Sequence, residues 1–241
     1  MIEQPSVLFE DNHLLVVNKP AGMATMGAEG LTLHAWAGQY LKHKFNKPGN
    51  AYVGIVSRLD RVTSGVIVLA RTSKAASRLC PQFTGDPESV AKAHRKWAKT
   101  PATKRYLAIV DGTDFPREGS LAHRLLKDED AMRMRVANAS KENALMATLR
   151  YRTLGDFGHQ RMVEVELETG RKHQIRVQFA SIGHPIVGDR KYDSASTHAV
   201  GIALHSWRTQ IAHPVSQASM TFEAWPTHGW PSWSAKLRPK R

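Results

Sequence analysis

The segment VSRLDRVTSGVIVLAR, residues 56–71, places one carboxylate, Asp60, between Arg58 and Arg61, with Thr63, Ser64 and Gly65 close behind it. A carboxylate can act as a nucleophile or as an acid–base group, and nearby guanidinium groups favour its ionised form. The apolar run from Val66 to Ala70 has the length and β-branched content of a buried strand. Polar groups this close to a core strand must be hydrogen-bonded or must serve a site. Taken alone, the stretch leaves two readings of Asp60: a catalytic group, or the acid of a structural salt bridge or loop cap.

Cations form the second chemical signal. The chain carries 34 Lys and Arg against 21 Asp and Glu, a formal charge of +13. That balance favours a polyanionic partner, RNA or DNA first and a membrane surface second. Residues 91–105, AKAHRKWAKTPATKR, hold Lys92, Arg95, Lys96 and Lys99 around Trp97 with no acid among them. Such a segment suits contacts to a phosphate backbone, which position RNA without reading its sequence; a solvated basic face is the alternative. Lys19, at a strand end before Pro20, reads as a phosphate contact or as surface charge. Metal chemistry is disfavoured, because His184, His198, His205 and His213 lack close ligand spacing and Cys80 is the single cysteine. No glycine-rich nucleotide loop accompanies them, which argues against hydrolysis by two metals and against an ATP-driven reaction.

The elements that must hold these groups are partly legible. A hairpin is expected from Val7 to Asn18 around Glu10, Asp11 and Asn12. A helix is expected from Leu31 to Phe45, with Leu33, Trp36, Ala37, Tyr40 and Leu41 on one face, and another capped by Thr72 or Ser73 and running to Phe83. Lys104 to Gly112 alternates like a half-buried strand, with Tyr106, Ala108 and Val110 on one side; Tyr106 is a packed aromatic or a ring facing a bound base. Residues 116–143 suggest loops with a short hairpin near Met132 to Val136. Ala144 to Thr153 and Arg161 to Glu168 read as strands, the second with a wet face of Glu164, Glu166 and Glu168. A helix from His173 to Ile182 fits the stripe of Ile175, Phe179 and Ile182, which leaves Arg176 off the stripe and able to point into a site. Its start beside Arg171 offers N–H groups to an anion. Asp189 stands alone in the loop from Ile186 to Tyr192, and Ile202 to Ile211 and Ala218 to Ala224 close the order as strands.

Four separated motifs then resemble one family. VNKPAGM at Val17 to Met23, RLDRVTSGVIVLA at Arg58 to Ala70, KRYLAIVDG at Lys104 to Gly112 and TGRKHQIRVQFASIGHPIVGD at Thr169 to Asp189 are similar to the RluA-type RNA pseudouridine synthases. ALHS at Ala203 to Ser206 and Ala212-His213-Pro214 extend the match. The resemblance implies an α/β (α+β) fold, a mixed, largely antiparallel sheet flanked by helices with a central RNA-binding cleft. It implies that Asp60 attacks the target uridine without a cofactor, that Tyr106 stacks on the base, and that Arg176 pairs with the aspartate beside Ile175. Arg58 would fill the gap left by the flipped base. Many relatives have histidine where Ser57 stands here, and many carry an S4-like RNA-binding domain, for which there is no room before Val7.

The expected organisation is a catalytic domain over residues 1–230 and a basic tail over 231–241. RNA, ribosomal or transfer, is the expected partner of a monomeric cytoplasmic isomerase; no apolar run approaches a membrane span and no signal peptide is evident. A catalytically inactive RNA-binding protein on the same fold is the main alternative. A zinc deaminase would need HxE and PCxxC ligands, which are absent.

Overall fold

The computed structural model describes residues 3–28, 30–84, 97, 99–138, 141 and 143–238. Lys92, Arg95 and Lys96 of the expected basic footprint lie outside the described residues, as does the end of the basic tail. The chain divides into two compact units, one from residues 1–103 and 206–224, the other from 104–205 and 225–241.

The first unit holds β1 (Ser6–Glu10), β2 (Leu14–Lys19), α1 (Leu33–Lys44), β3 (Gly54–Ile55), β4 (Ser64–Ala70), α2 (Ser73–Thr84), most of β10 (Leu204–Ala212) and β11 (Ser219–Glu223). Its strands run in the order β1-β2-β4-β10, with β3 beside β4 and β11 beside β10. β1 pairs antiparallel with β2, and β2 with β4. The hairpin forms because Asp11 accepts the N–H groups of His13 and Leu14 at 2.7 Å, an Asx turn that reverses the chain. β2 and β4 are apolar on both faces because they are covered on both; Leu14, Val16, Val66, Val68 and Ala70 pack with Ala75 and Leu79 of α2. α1 starts where the Thr32 hydroxyl accepts the N–H of Ala35 at 3.2 Å, and ends in Lys42, His43 and Lys44, which suit the negative end of its dipole. Of its expected apolar face, Leu33, Ala37 and Leu41 are buried, whereas Trp36 and Tyr40 stack on each other with ring centroids 5.3 Å apart.

The second unit holds β5 (Thr103–Asp111), β6 (Glu118–Asp128), β7 (Arg133–Ala137), β8 (Leu145–Phe157), β9 (Gln160–Leu167) and α3 (Gln174–Ser181). Its strands run β5-β9-β8-β6-β7, every neighbouring pair antiparallel. Three local expectations change here. Residues 116–143 contain an 11-residue strand, β6, that sequence patterning does not reveal. Most of its side chains are exposed, so it is held by ladders to β7 and β8 rather than by an apolar face. β5 is buried on both faces from Tyr106 to Val110 instead of alternating. The chain at 187 and 203 lies along it, Val187 donating to the Ile109 carbonyl and the Ile109 N–H donating to Ala203. The wet face expected of β9 is covered by arginines. Arg152 reaches Glu164 at 2.7 Å and Arg105 reaches Glu166 at 2.9 Å, each from the residue directly opposite in the ladder.

After β11 the described residues run on to Arg238. A 3-10 turn at Ser232–Leu237 stacks Trp233 on Phe157 and fits Leu237 against Gly155, at the irregularity in β8. Among the described residues no helix is long and apolar enough to cross a membrane.

Candidate active site

In the first unit, Asp60 sits half-buried on the loop that leads into β4. That loop is tied along its length to the turn after β2. Thr25 Oγ1 donates to the Leu59 carbonyl at 2.8 Å and accepts the Leu59 N–H at 3.2 Å. Gly22 N–H donates to the Arg61 carbonyl at 2.7 Å, and Arg61 Nε returns a bond to the Gly22 carbonyl at 3.0 Å. Thr63 N–H closes the loop on the Asp60 carbonyl at 3.1 Å. The carboxylate is therefore presented by a backbone with little freedom to move. Gly65 explains why glycine ends this motif: its φ is +118°, and a Cβ there would lie 2.2 Å from the Ser206 carbonyl oxygen.

Lys19 lies beneath this loop and is 0 % exposed. Its ammonium donates to the carbonyls of Pro20 at 2.9 Å and Met23 at 2.8 Å. Burial drags its pKa from 10.5 to about 7, while the Asp60 carboxylate pulls it back upward. Lys19 is thus neither a surface charge nor, in this conformation, solvent-facing; it braces the turn to which the Asp60 loop is tied. Arg58 is exposed beside Asp60.

In the second unit, α3 is not the amphipathic helix its stripe suggests. Gln174 to Phe179 are all buried, and Gln174 and Arg176 are held by named partners. Gln174 Nε2 donates to the Thr148 carbonyl, and its Oε1 accepts from Thr169 Oγ1 at 2.8 Å and from the Arg171 N–H at 3.0 Å. This fixes the turn that starts the helix. His173 takes a left-handed backbone, φ 53°, and its Nδ1 shares a 2.8 Å hydrogen bond with the Tyr192 hydroxyl.

Arg176 is 4 % exposed and bonds Asp189, itself 1 % exposed, through Nε at 2.6 Å and Nη2 at 2.9 Å. Its guanidinium also lies 5.1 Å from the centre of the Tyr192 ring. A bidentate carboxylate and an aromatic face leave this cation one orientation. Sequence reading found Arg176 but gave Asp189 no partner. The available signal was one acid set among apolar residues in IVGD, where an unpaired carboxylate would be too costly to bury.

Tyr106, 8 % exposed, lies on the face of β5 shared with Lys104, Ala108 and Val110. Ile175 is buried beside Arg176 in α3, while Arg171 is exposed, its Nε donating to the Met146 carbonyl at 3.1 Å. Lys99 is exposed in the first unit. Asp60, Arg58 and Lys19 thus belong to one unit, and Tyr106, Arg171, Ile175 and Arg176 to the other. Cys80 is half-buried, and burial raises its thiol pKa, consistent with an unreactive side chain.

Comparison with known proteins bears on these arrangements. The profile of the RNA pseudouridylate synthase family matches residues 13–181. The "Ribosomal large subunit pseudouridine synthase D" of Zymomonas mobilis is 34 % identical over 231 residues, covering 90 % of this chain and 68 % of that protein. The "Ribosomal large subunit pseudouridine synthase C" of Escherichia coli is 31 % identical over 244 residues, covering 98 % and 70 %. Among solved structures, the human protein "RNA Pseudouridylate Synthase Domain Containing 4" superposes with a TM-score of 0.73 at 21 % identity, covering 96 % of this chain and 91 % of that one. At that identity it shows the shared fold. The family profile includes both the Asp60 loop and the helix of Arg176, and the chain belongs to the RNA pseudouridylate synthase family.

Proposed function

We propose that Asp60 is the nucleophile with which this pseudouridine synthase isomerises uridines in RNA of the large ribosomal subunit. The observation that carries the assignment is the Asp60 loop: a half-buried carboxylate on a backbone tied at four points to the turn after β2, with Lys19 beneath it. Tyr106 and Arg176 complete the catalytic set in the roles the resemblance implies. Arg58, Arg171, Ile175 and the basic residues Lys92, Arg95, Lys96 and Lys99 contact the RNA.

The chemistry conserves atoms and electrons. The bond from uracil N1 to C1′ of the ribose breaks, the uracil turns, C5 bonds to C1′, and the proton on C5 leaves as N1 gains one. Nothing is oxidised or consumed, so the reaction needs no stoichiometric co-reactant. The attacking group must be the carboxylate, the form with an electron pair free to bond carbon. The ribosomal target is favoured by relatives named for the large subunit. We place the protein in the cytoplasm as a monomer; light scattering of the purified protein is expected to give the mass of one chain, and a multiple of that mass overturns the monomer.

Asp60→Asn keeps the shape of the side chain but removes the nucleophile. Release of tritium from RNA labelled at uridine C5 is expected to vanish, with thermal unfolding and RNA affinity close to wild type. Turnover near the wild-type rate overturns the assignment. Mapping pseudouridine in ribosomal and transfer RNA of a deletion strain identifies the target; a loss confined to transfer RNA overturns the ribosomal reading.

A further inference from the structure

Lys104 is the second residue of β5, two residues before Tyr106 and therefore on the same face, about 7 Å along the strand. It pairs with Leu167 in the ladder, where β9 gives way to the turn Glu168-Thr169-Gly170. Its ammonium lies against that turn: a Cβ on Gly170 would stand 3.2 Å from Lys104 Nζ. The turn itself is fixed, because Gln174 accepts from both Thr169 and Arg171.

What Lys104 lacks is an anion. The carboxylates on the neighbouring stretch are engaged elsewhere, Glu166 by Arg105 at 2.9 Å and Glu168 by Arg150 at 2.7 Å. Lys104 makes no hydrogen bond or ion pair among the described residues, in contrast to Lys19 with its two carbonyls. Burial alone holds its ammonium below the ordinary lysine range. Lys104 is half-buried, and a cation partly withdrawn from water without an acceptor is destabilising until a ligand brings the missing charge. Of the groups on an RNA chain near neutral pH, the phosphodiester is the one that carries a negative charge.

We propose that Lys104 is a phosphate-binding residue that holds a non-bridging oxygen of a phosphodiester flanking the target nucleotide. This rests on the reading that Tyr106 faces the target base. The strand then fixes base and backbone together, Tyr106 through its ring and Lys104 through its charge, and the glycine at 170 leaves room for the ammonium tip.

The test combines a protein charge with an RNA charge. Lys104→Met and Lys104→Gln keep the stem and remove the ammonium. Both are made in the Asp60→Asn background, so that binding is read without turnover. Each is titrated against hairpins carrying the mapped uridine, with one neutral methylphosphonate walked through the flanking linkages. Each variant is expected to bind the fully charged hairpin about tenfold more weakly. One methylphosphonate position should weaken the Lys104 protein by a similar factor and leave the variants unaffected. On bulk large-subunit RNA, whatever the target, the slope of log affinity against log salt should shrink by up to about 0.7. Unchanged affinity and slope, or equal losses at every linkage in all proteins, overturn the phosphate contact. Tritium release by the otherwise unmodified protein is measured alongside. Release without linkage coupling rejects Lys104 alone; a reduced salt slope without release rejects the catalytic reading and leaves the phosphate contact standing.

Discussion

Lys19 and Arg176 are both buried, and their surroundings treat the charge in opposite ways. Lys19, under the Asp60 loop, is bonded to the carbonyls of Pro20 and Met23, and burial brings its pKa down to about 7. Arg176, in α3, meets the two oxygens of Asp189 and the face of Tyr192. An ammonium can shed its proton when the surroundings do not support the charge, whereas a guanidinium cannot. The difference separates a conditional charge from a permanent one. A carbonyl cage suits a group whose main task is to brace a turn, since neutral lysine still donates hydrogen bonds. A bidentate carboxylate suits a group whose charge must persist at every pH at which the enzyme works.

The largest effects fall on the permanent charge. Arg176→Met is expected to lower kcat by about two to three orders of magnitude, while RNA affinity changes little. Single-turnover tritium release checks this, and an unchanged rate removes Arg176 from the catalytic set. Asp189→Asn should instead act first on the fold. It strands a buried guanidinium, a loss of about 3–5 kcal/mol in urea unfolding. The double variant Arg176→Met, Asp189→Leu replaces the pair by apolar groups and should regain most of that stability without regaining activity. If it regains neither, the pair is needed to form the fold, and its catalytic role is not separable in this way.

The same contrast explains what was legible in the sequence. Asp60, Tyr106 and Arg176 stand out because each lies in a dense motif on a readable element: a loop before an apolar run, a strand, a helix. α1, α2, β4 and the closing strands also declare themselves through caps and periodicity, within two residues of the observed limits. β6 does not, because it is held mainly by backbone ladders on both sides and most of its side chains are exposed. The cover on Glu164 is invisible for a related reason: a run of alternating Glu reads as a wet face until the opposing strand supplies Arg152. Lys19 and Asp189 are the clearest losses. Burial of a charged side chain is decided by partners remote from it in the chain or by carbonyls that carry no side-chain signature. Local patterning therefore reads Lys19 as a phosphate contact or surface charge and Asp189 as a lone loop acid.

The smallest effect concerns the conditional charge, and its sign is fixed by linkage. In the unfolded chain Lys19 titrates near 10.5, and in the folded protein near 7. Below about pH 7 both states carry the proton and the folded state bears the full cost of the buried ammonium. Between about 7 and 10.5 the unfolded state binds more protons, so stability rises with pH by up to about 1.4 kcal/mol per unit. Lys19→Met removes this titration. The difference in urea-unfolding free energy, wild type minus variant, should therefore increase with pH across that window and be flat below it. A flat difference throughout would show that Lys19 keeps an ordinary charge, and the contrast with Arg176 would collapse. Asp60 sharpens the measurement, since its carboxylate raises the Lys19 value. In Asp60→Asn that support is gone, and the rise should begin at a lower pH than in wild type. An onset unmoved by Asp60→Asn would mean that the two charges do not sense one another, and that Lys19 braces the loop through its hydrogen bonds alone.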